Sequence, residues 1–214
     1  MPRNTERDQQ QREERRKQIL DAAARVFARR GVLTKMADIA AGAGMSHGHL
    51  YNHFASKEEI LLAVIERGQL MYGKILRRAL AMTGTAADKF RYIAVHSLPG
   101  VGDPDIYLVL LQAVFTDVLT GEEKRVILER AGQNLALLIQ LIEEGQQDGT
   151  VMAGDPVQLA TLFGTLIQNL MLLEMRGYAP ATPETISLLL TMLSPKLEAE
   201  AEAACVLGPW KKEG

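Results

Sequence analysis

The chain is poor in several residue types, and each shortage excludes a class of protein. It has a single cysteine, Cys205, which excludes an internal disulfide framework and is typical of a reducing compartment. No apolar run reaches the roughly 18 residues that a membrane span needs, and the charged N-terminus lacks the apolar segment of a secretory signal. These absences predict a cytoplasmic protein that does not cross a membrane.

Aromatic residues are also scarce, at 5% of the 214 residues, although 47% of the chain is hydrophobic. The apolar content comes mainly from Leu, Ala, Ile and Met, a mixture that favours helix over sheet. No alternating strand pattern competes with the helical periodicity. The sequence therefore predicts an all-α protein of about nine helices, with a three-helix head joined by a long helix to a C-terminal bundle.

The chain lacks a strong charge of either sign, since its net charge is −2. Residues 1–60 hold eleven Lys/Arg and eight Asp/Glu, a balance of +3, and the rest hold thirteen and eighteen, a balance of −5. A mildly basic head on an acidic body suggests that only the head meets a polyanion, although this excess is small for a nucleic-acid-binding domain.

Helix start and stop signals divide the chain into four parts. The polar segment 1–16 predicts a flexible arm, and 17–60 predicts the head, a helix-turn-helix domain. A long helix from 57 to about 82 leads into the bundle at 61–204, and a tail follows at 205–214.

The head contains two short helices separated by a glycine-containing turn. Thr34 is the predicted cap of the first, and Ser46 is the predicted cap of the second, near 46–54. Leu50 and Phe54 lie four residues apart and are predicted to anchor this second helix. The remaining, outward-facing surface of this helix is then formed by His47, Gly48, His49, Tyr51, Asn52 and His53. Glycine in a helix costs about 1 kcal/mol relative to alanine, which makes sense if another molecule's backbone comes close there.

Several motifs of the head occur in a specific combination: ILDAAARVFARRG from residue 19, Thr34, IAAGAGMS from 39, Gly48, LYNHF from 50 and SKEE from 56. Over residues 16–64 the sequence resembles the TetR family of transcriptional repressors. The resemblance implies a homodimer that binds a palindromic double-stranded DNA operator and releases it when a small, hydrophobic effector binds the body.

The resemblance also implies roles for the head residues. Thr34, Lys35, Ser46, His47 and Lys57 would meet phosphates. Gly48 belongs to the same surface; His49 and Asn52 would face base edges, and Tyr51 and His53 the backbone. The family commonly has Lys, Arg or Pro near position 47 and Thr, Ser or Ala at 49. Because His47 and His49 depart from this pattern, the resemblance does not predict the operator sequence.

Three of the four histidines lie within seven residues, which raises two other interpretations. His49 and His53 are four apart and could chelate a metal on one helical face, but His47 lies about 200° away from His49 and no cysteine is near. A solvated polar face is the remaining alternative. We expect no metal and no cofactor.

No motif of catalysis accompanies the helical pattern. The sequence lacks a glycine-rich phosphate loop, a nucleophile elbow and paired carboxylates, so we expect no enzymatic activity. Two other functions stay open at this point: a helical small-molecule enzyme or carrier without a role on DNA, and an adaptor that recruits another protein.

An effector pocket would lie among the body helices, where polar or bulky residues stand between apolar ones. The candidates are Tyr72, Tyr92, His96, Tyr107, Gln112, Phe115, Asn134, Gln168 and Met171. Ordinary core or surface positions are the alternative for each of them.

Helices 156–176 and 183–203 are apolar around much of their circumference. We expect them to form a four-helix interface in a homodimer, two helices from each subunit. A central helix in a monomeric bundle is the competing explanation for 156–176.

Overall fold

The computed structural model describes residues 5–98 and 103–195. This part of the chain contains nine α-helices, a short 3-10 helix at Glu174–Arg176 and no strand, which confirms the predicted all-α class. The helices are α1 Thr5–Arg30, α2 Met36–Gly42, α3 His47–Tyr51, α4 Lys57–Leu80, α5 Ala86–Ser97, α6 Pro104–Phe115, α7 Gly121–Gln147, α8 Pro156–Met171 and α9 Pro183–Thr191. Within these described ranges, none of the helices is long and apolar enough to cross a membrane.

The first helix begins earlier than predicted. We expected a flexible arm over 1–16, but α1 is already helical from Thr5. The extra residues are mostly Gln, Arg and Glu, which have high helix propensity, and they continue a helix that is nucleated by the buried turns after residue 18. Residues 7–18 are exposed, so burial of apolar side chains does not stabilise this extension.

The last two helices are shorter than predicted. Helix α8 ends at Met171, and a 3-10 turn carries the chain to Gly177, whose φ of 80° is the left-handed conformation that ends a helix. Helix α9 begins at the predicted position, Pro183, with Thr182 as its N-cap, and it ends at Thr191. The predicted continuation beyond 195, with the tail at 205–214 and Cys205, lies outside the described residues.

The chain divides into two compact units, and α4 and α7 contribute to both. The first unit comprises Met1–Gly73 and Asp103–Gln133. Its buried core joins side chains of the first four helices to Ile106, Val109 and Ala113 of α6 and Ile127 of α7. The predicted boundary at residue 60 does not coincide with this division, because apolar packing continues from the head into α6 and α7.

Close helix packing in the first unit explains a glycine in the long helix α4. A Cβ at Gly68 would lie 2.3 Å from Ile106 Cγ2, so a larger residue there would force Ile106 to shift, and glycine allows α6 to approach α4 this closely. Arg67 also pairs with Asp21 at 2.7 Å, which links α4 to α1.

The second unit comprises Lys74–Gly102 and Asn134–Gly214. Phe90 of α5 meets Phe163 of α8 edge to face, with ring centroids 4.8 Å apart, and both rings are buried. Lys89 of α5 pairs with Glu144 of α7 at 2.9 Å. These contacts hold α5, α7 and α8 together in this unit.

Candidate nucleic-acid interface

The start of α2 is organised by Asp38 instead of the predicted cap Thr34. The Asp38 carboxylate accepts hydrogen bonds from the Lys35 N–H at 3.1 Å and the Thr34 hydroxyl at 3.2 Å, and it pairs with Arg30 at 2.7 Å. The Lys35 N–H, followed by the Thr34 hydroxyl, holds the pKa of Asp38 below its ordinary value. Thr34 is buried and its hydroxyl is already bonded, so this geometry does not support its predicted phosphate contact, whereas Lys35 is exposed.

Helix α3 is capped and anchored as predicted. The Ser46 hydroxyl oxygen accepts a hydrogen bond from the His49 N–H at 3.2 Å, which satisfies one of the free donors at the helix start. Leu50 and Phe54 are 0% and 1% exposed and belong to the core of the first unit. Burial of each such side chain stabilises the fold by about 1.5–3 kcal/mol. These two side chains therefore anchor α3 to the core of the first unit.

The opposite side of α3 is polar and faces solvent. Helix α3 ends at Tyr51, three residues before the predicted end, because Asn52 leaves the helix as its C-cap. The predicted contact residues that are exposed on this side are Ser46, His47, Gly48, His49, Tyr51 and Asn52. This surface offers hydrogen-bond donors and acceptors on a short helix, which is the form that reads base edges in a major groove.

The imidazole rings pair with neighbours one helical turn away. His47 contacts Tyr51 edge to face at 4.9 Å between ring centroids, and His49 stacks on His53 at 5.6 Å. The three histidines thus divide between two faces. No group of three or more His, Cys, Asp or Glu side chains that could hold a metal ion occurs in the part of the chain that the structure describes.

His53 lies beside the arginines of α1. Arg16 donates a hydrogen bond to the His53 carbonyl oxygen at 3.2 Å, and its guanidinium lies 4.0 Å from the centre of the Phe54 ring. Partial burial, the neighbouring His49 and the charges of Arg15, Arg12 and Arg16 hold the pKa of His53 below its ordinary value, in that order of size. The basic character of this region therefore comes from α1 as much as from α3.

Sequence reasoning missed these three arginines as candidate contacts, because it assigned 1–16 to a flexible arm. The signal was present: positions 12, 15 and 16 are spaced by three and four residues, which places them on one face of a continuous helix.

Lys57 is less available than predicted. Its amine lies 3.5 Å from the Val32 carbonyl oxygen and 3.7 Å from the Glu58 carboxylate, and the side chain is 23% exposed. A phosphate contact by Lys57 stays a prediction.

The nine predicted ligand residues do not fall in one unit. Tyr72, Tyr107, Gln112 and Phe115 belong to the first unit, whereas Tyr92, His96, Asn134, Gln168 and Met171 belong to the second. The prediction that Phe115 lines the effector pocket is wrong. Phe115 is the last residue of α6 and is 83% exposed, so its side chain is not in the interior of the described structure.

Two of these residues carry buried polar atoms without a hydrogen-bond partner among the described residues, the Tyr72 hydroxyl and the Gln112 side-chain oxygen. Burial raises the pKa of Tyr72 far above its ordinary value. In contrast, the His96 ring is engaged locally, since its Nδ1 lies 2.8 Å from the Tyr92 carbonyl oxygen and it stacks on the Tyr92 ring with centroids 3.9 Å apart.

The predicted dimer helices expose apolar side chains in the single chain. On α8, Val157 and Leu162 are 50% and 59% exposed; in and just after α9, Leu188 and Met192 are 70% and 54% exposed. The buried side of α8 is formed by Ala160, Phe163, Gly164 and Ile167. Helix α8 therefore has apolar residues on two sides, as predicted, and among the residues that the structure describes only one of these sides is buried.

A comparison with protein families identifies the head. The profile of bacterial regulatory proteins of the tetR family matches residues 19–64. This range begins at the first buried residue of α1 and ends within α4, so it contains the complete helix-turn-helix.

Similarity to individual proteins extends over most of the chain. The HTH-type transcriptional repressor KstR2 of Mycobacterium tuberculosis (strain ATCC 25618 / H37Rv) is 27% identical over 203 residues, 94% of each chain. A solved structure of KstR2 covers 84% of this chain and 95% of its own, with a TM-score of 0.69 and 21% identity. The structure of AibR in complex with isovaleryl coenzyme A and operator DNA covers 85% of this chain and 98% of AibR, with a TM-score of 0.69 and 23% identity. The profile match shows that the head is a domain of the tetR type found in bacterial regulatory proteins, and along both units the chain is similar to a transcriptional repressor.

Proposed function

We propose that this protein is a homodimeric repressor that binds operator DNA through α2 and α3 and releases it when a small apolar or amphipathic molecule binds the body. The observation that carries the proposal is the exposed polar face of α3 on an anchor of Leu50 and Phe54. A two-fold dimer would present two such faces to successive major grooves, about 34–36 Å apart.

Contacts on the DNA divide into two classes. Exposed groups at the helix starts, above all Lys35 and Ser46, would bind phosphates and supply affinity that depends on salt. His49 and Asn52 would read base edges, since imidazole can donate or accept and a side-chain amide pairs with adenine. His47, Tyr51 and His53 would position the helix against the DNA backbone.

The dimer is proposed to form through α8 and α9. Their exposed apolar side chains would be covered by the same surface of a second copy, which is the arrangement that a two-fold axis requires. Exposed apolar surface of this kind in a single chain supports an interface between subunits.

The effector is proposed to be a lipid-like or acyl-type molecule. KstR2 is named a ketosteroid transcriptional regulator, and AibR was crystallised with isovaleryl coenzyme A. In this chain, the buried Tyr72 hydroxyl and Gln112 oxygen are the best polar anchors, because neither has a hydrogen-bond partner among the described residues.

Coupling between effector and DNA would run through α6. Ile106, Val109 and Ala113 of α6 are part of the same buried core as α1 and α3, so a shift of α6 would disturb the DNA-binding helices. Effector and DNA must weaken each other's binding by one common factor, and a factor of 100 corresponds to about 2.7 kcal/mol of differential affinity.

The test begins with selection of duplexes from a random DNA library by the full-length protein, followed by titration of the enriched duplex. We expect His49→Ala to change the enriched sequence. Lys35→Ala should weaken enriched and random duplexes alike and reduce the salt slope by about 0.9 for each phosphate that the protein no longer binds. No enrichment, with no salt-dependent binding to random duplex, would overturn the proposed function.

The effector is tested on the complex of protein and enriched duplex. Isovaleryl coenzyme A, a longer acyl coenzyme A and a ketosteroid are the probes, and release of the duplex is followed by fluorescence anisotropy. An active probe should lose potency with Tyr72→Phe, which removes only the hydroxyl, while DNA affinity without the probe stays unchanged. Unchanged potency would exclude Tyr72 as an anchor.

A further inference from the structure

The exposed part of α1 is an unusual helix. Residues 7–18 are exposed, so this helical segment buries no apolar face. A helix that is polar on all sides normally needs many ion pairs or a partner to be stable. Among the described residues, α1 makes no ion pair before Arg16.

Contacts of Arg16 fix this segment beside the recognition helix. The Arg16 guanidinium donates to the His53 carbonyl oxygen at 3.2 Å, lies over the Phe54 ring and approaches Glu59 at 3.9 Å. Eleven residues of helix precede Arg16, which is about 16 Å at 1.5 Å per residue. The first turns of α1 therefore extend from a point next to the end of α3.

Two further arginines lie on the same face of α1 as Arg16 and make few contacts within the described residues. Arg12 has no hydrogen bond or ion pair among the residues that the structure describes, and Arg15 donates only to Gln18, at 3.0 Å. Both lie within one helical turn of Arg16, which contacts the His53 carbonyl oxygen, so their charges lie on the side of α1 that faces the end of α3. In keeping with this position, their charges contribute to lowering the pKa of His53. The other titratable groups near them are His49, His53, Arg16 and Glu59. The carboxylates of Asp8, Glu13 and Glu14 on α1 also lie within about one turn of the two arginines, but none of them forms an ion pair with either arginine among the described residues.

We propose that Arg12 and Arg15 form a phosphate-binding pair on α1 that contacts operator DNA next to the bases read by α3. The inference rests on the proposed DNA binding and adds a contact element outside the helix-turn-helix, N-terminal to the range 19–64 that the family profile matches. Guanidinium groups suit this role, because their planar set of donors matches the oxygens of a phosphate.

DNA binding would also explain why an unpacked polar segment is helical. Phosphates would neutralise the arginines, whose mutual repulsion opposes the helix in the free protein. The contact carries no sequence information, so it would raise affinity for every duplex by a similar factor.

The experiment compares full-length wild-type protein with Arg12→Ala/Arg15→Ala on the enriched duplex and on a random duplex. The double variant should bind both less tightly, by the same factor, and its plot of log affinity against log salt should be flatter. Each phosphate that is no longer neutralised reduces the slope by about 0.9, hence by about 3.6 for the four arginines of a dimer. Circular dichroism should show unchanged helix content, because alanine is a strong helix former.

Lys17→Ala is the matched control. Lys17 lies on the same exposed helix, but it is about 140° away from Arg12 and is not among the charges that act on His53. We expect it to leave the slope unchanged, and we expect Arg12→Lys/Arg15→Lys to recover most of the slope that the alanine variant lacks.

The outcomes separate this inference from the proposed function. If wild-type protein enriches a duplex and the alanine double variant keeps its affinity and slope, the arginine pair does not bind DNA and the proposed function stands. An equal loss with Lys17→Ala would also overturn the inference, since it would reveal a general charge effect. Wild-type protein that binds no duplex would overturn both.

Discussion

Gly48 allows a direct test of how α3 meets its partner. It lies inside α3, and a Cβ built there would have no atom within 4 Å, so nothing in the folded chain requires a glycine. Its φ is not in the left-handed region, and alanine can adopt its conformation without strain. In the protein alone, Gly48→Ala should therefore stabilise the fold.

The size of this gain follows from helix propensity. Alanine is favoured over glycine inside a helix by about 0.5–1 kcal/mol, mainly because it reduces the entropy of the unfolded chain. For a protein of this size, that gain raises Tm by about 1–4 °C. On DNA the added methyl group should clash with the approaching backbone, and overpacking of this kind costs about 1–3 kcal/mol, or roughly a 5- to 150-fold loss of affinity.

Gly132→Ala is the matched control, because Gly132 is also an exposed helical glycine whose Cβ would meet no atom within 4 Å, but it lies on α7. The assays are thermal unfolding and titration of the enriched duplex. Both variants should melt higher, and only Gly48→Ala should lose DNA affinity. A Gly48→Ala protein that is more stable and binds DNA normally would refute the close approach at this position, and a less stable one would refute the helix argument.

Two further predictions concern His53 and the dimer. Because the pKa of His53 is lowered in the folded state, the unfolded chain binds more protons there, and stability should fall as pH drops through about 6.5; His53→Gln should show a smaller loss between about pH 7.5 and 5.5 in urea unfolding. An identical pH profile in both proteins would contradict this. Leu162→Glu/Leu188→Glu should be monomeric by light scattering, whereas Leu128→Glu, a similarly exposed leucine on α7, should stay dimeric; a dimeric double variant would place the interface elsewhere.

Local signals predicted the helical elements well. Ser46 before α3 accepts a hydrogen bond from the first turn of its helix, as its position in the sequence indicated, and Thr85 before α5 and Asp103 before α6 do the same. Such caps depend on residues within three or four positions, so they can be read without knowledge of the fold. The predicted cap of α2, Thr34, was wrong. The Asp38 carboxylate, which lies inside the helix, accepts the hydrogen bond from the Lys35 N–H at the helix start instead.

The sequence alone determined the all-α class, the helix-turn-helix and the anchors of α3, since these follow from periodicity and short-range caps. Tertiary structure decided which polar groups are free. It buried Thr34 against Asp38, engaged Lys57 with Val32, and brought the arginines of α1 next to His53. The physical reason is that availability depends on contacts between residues far apart in the chain, and the spacing of residues along the chain does not encode those distances.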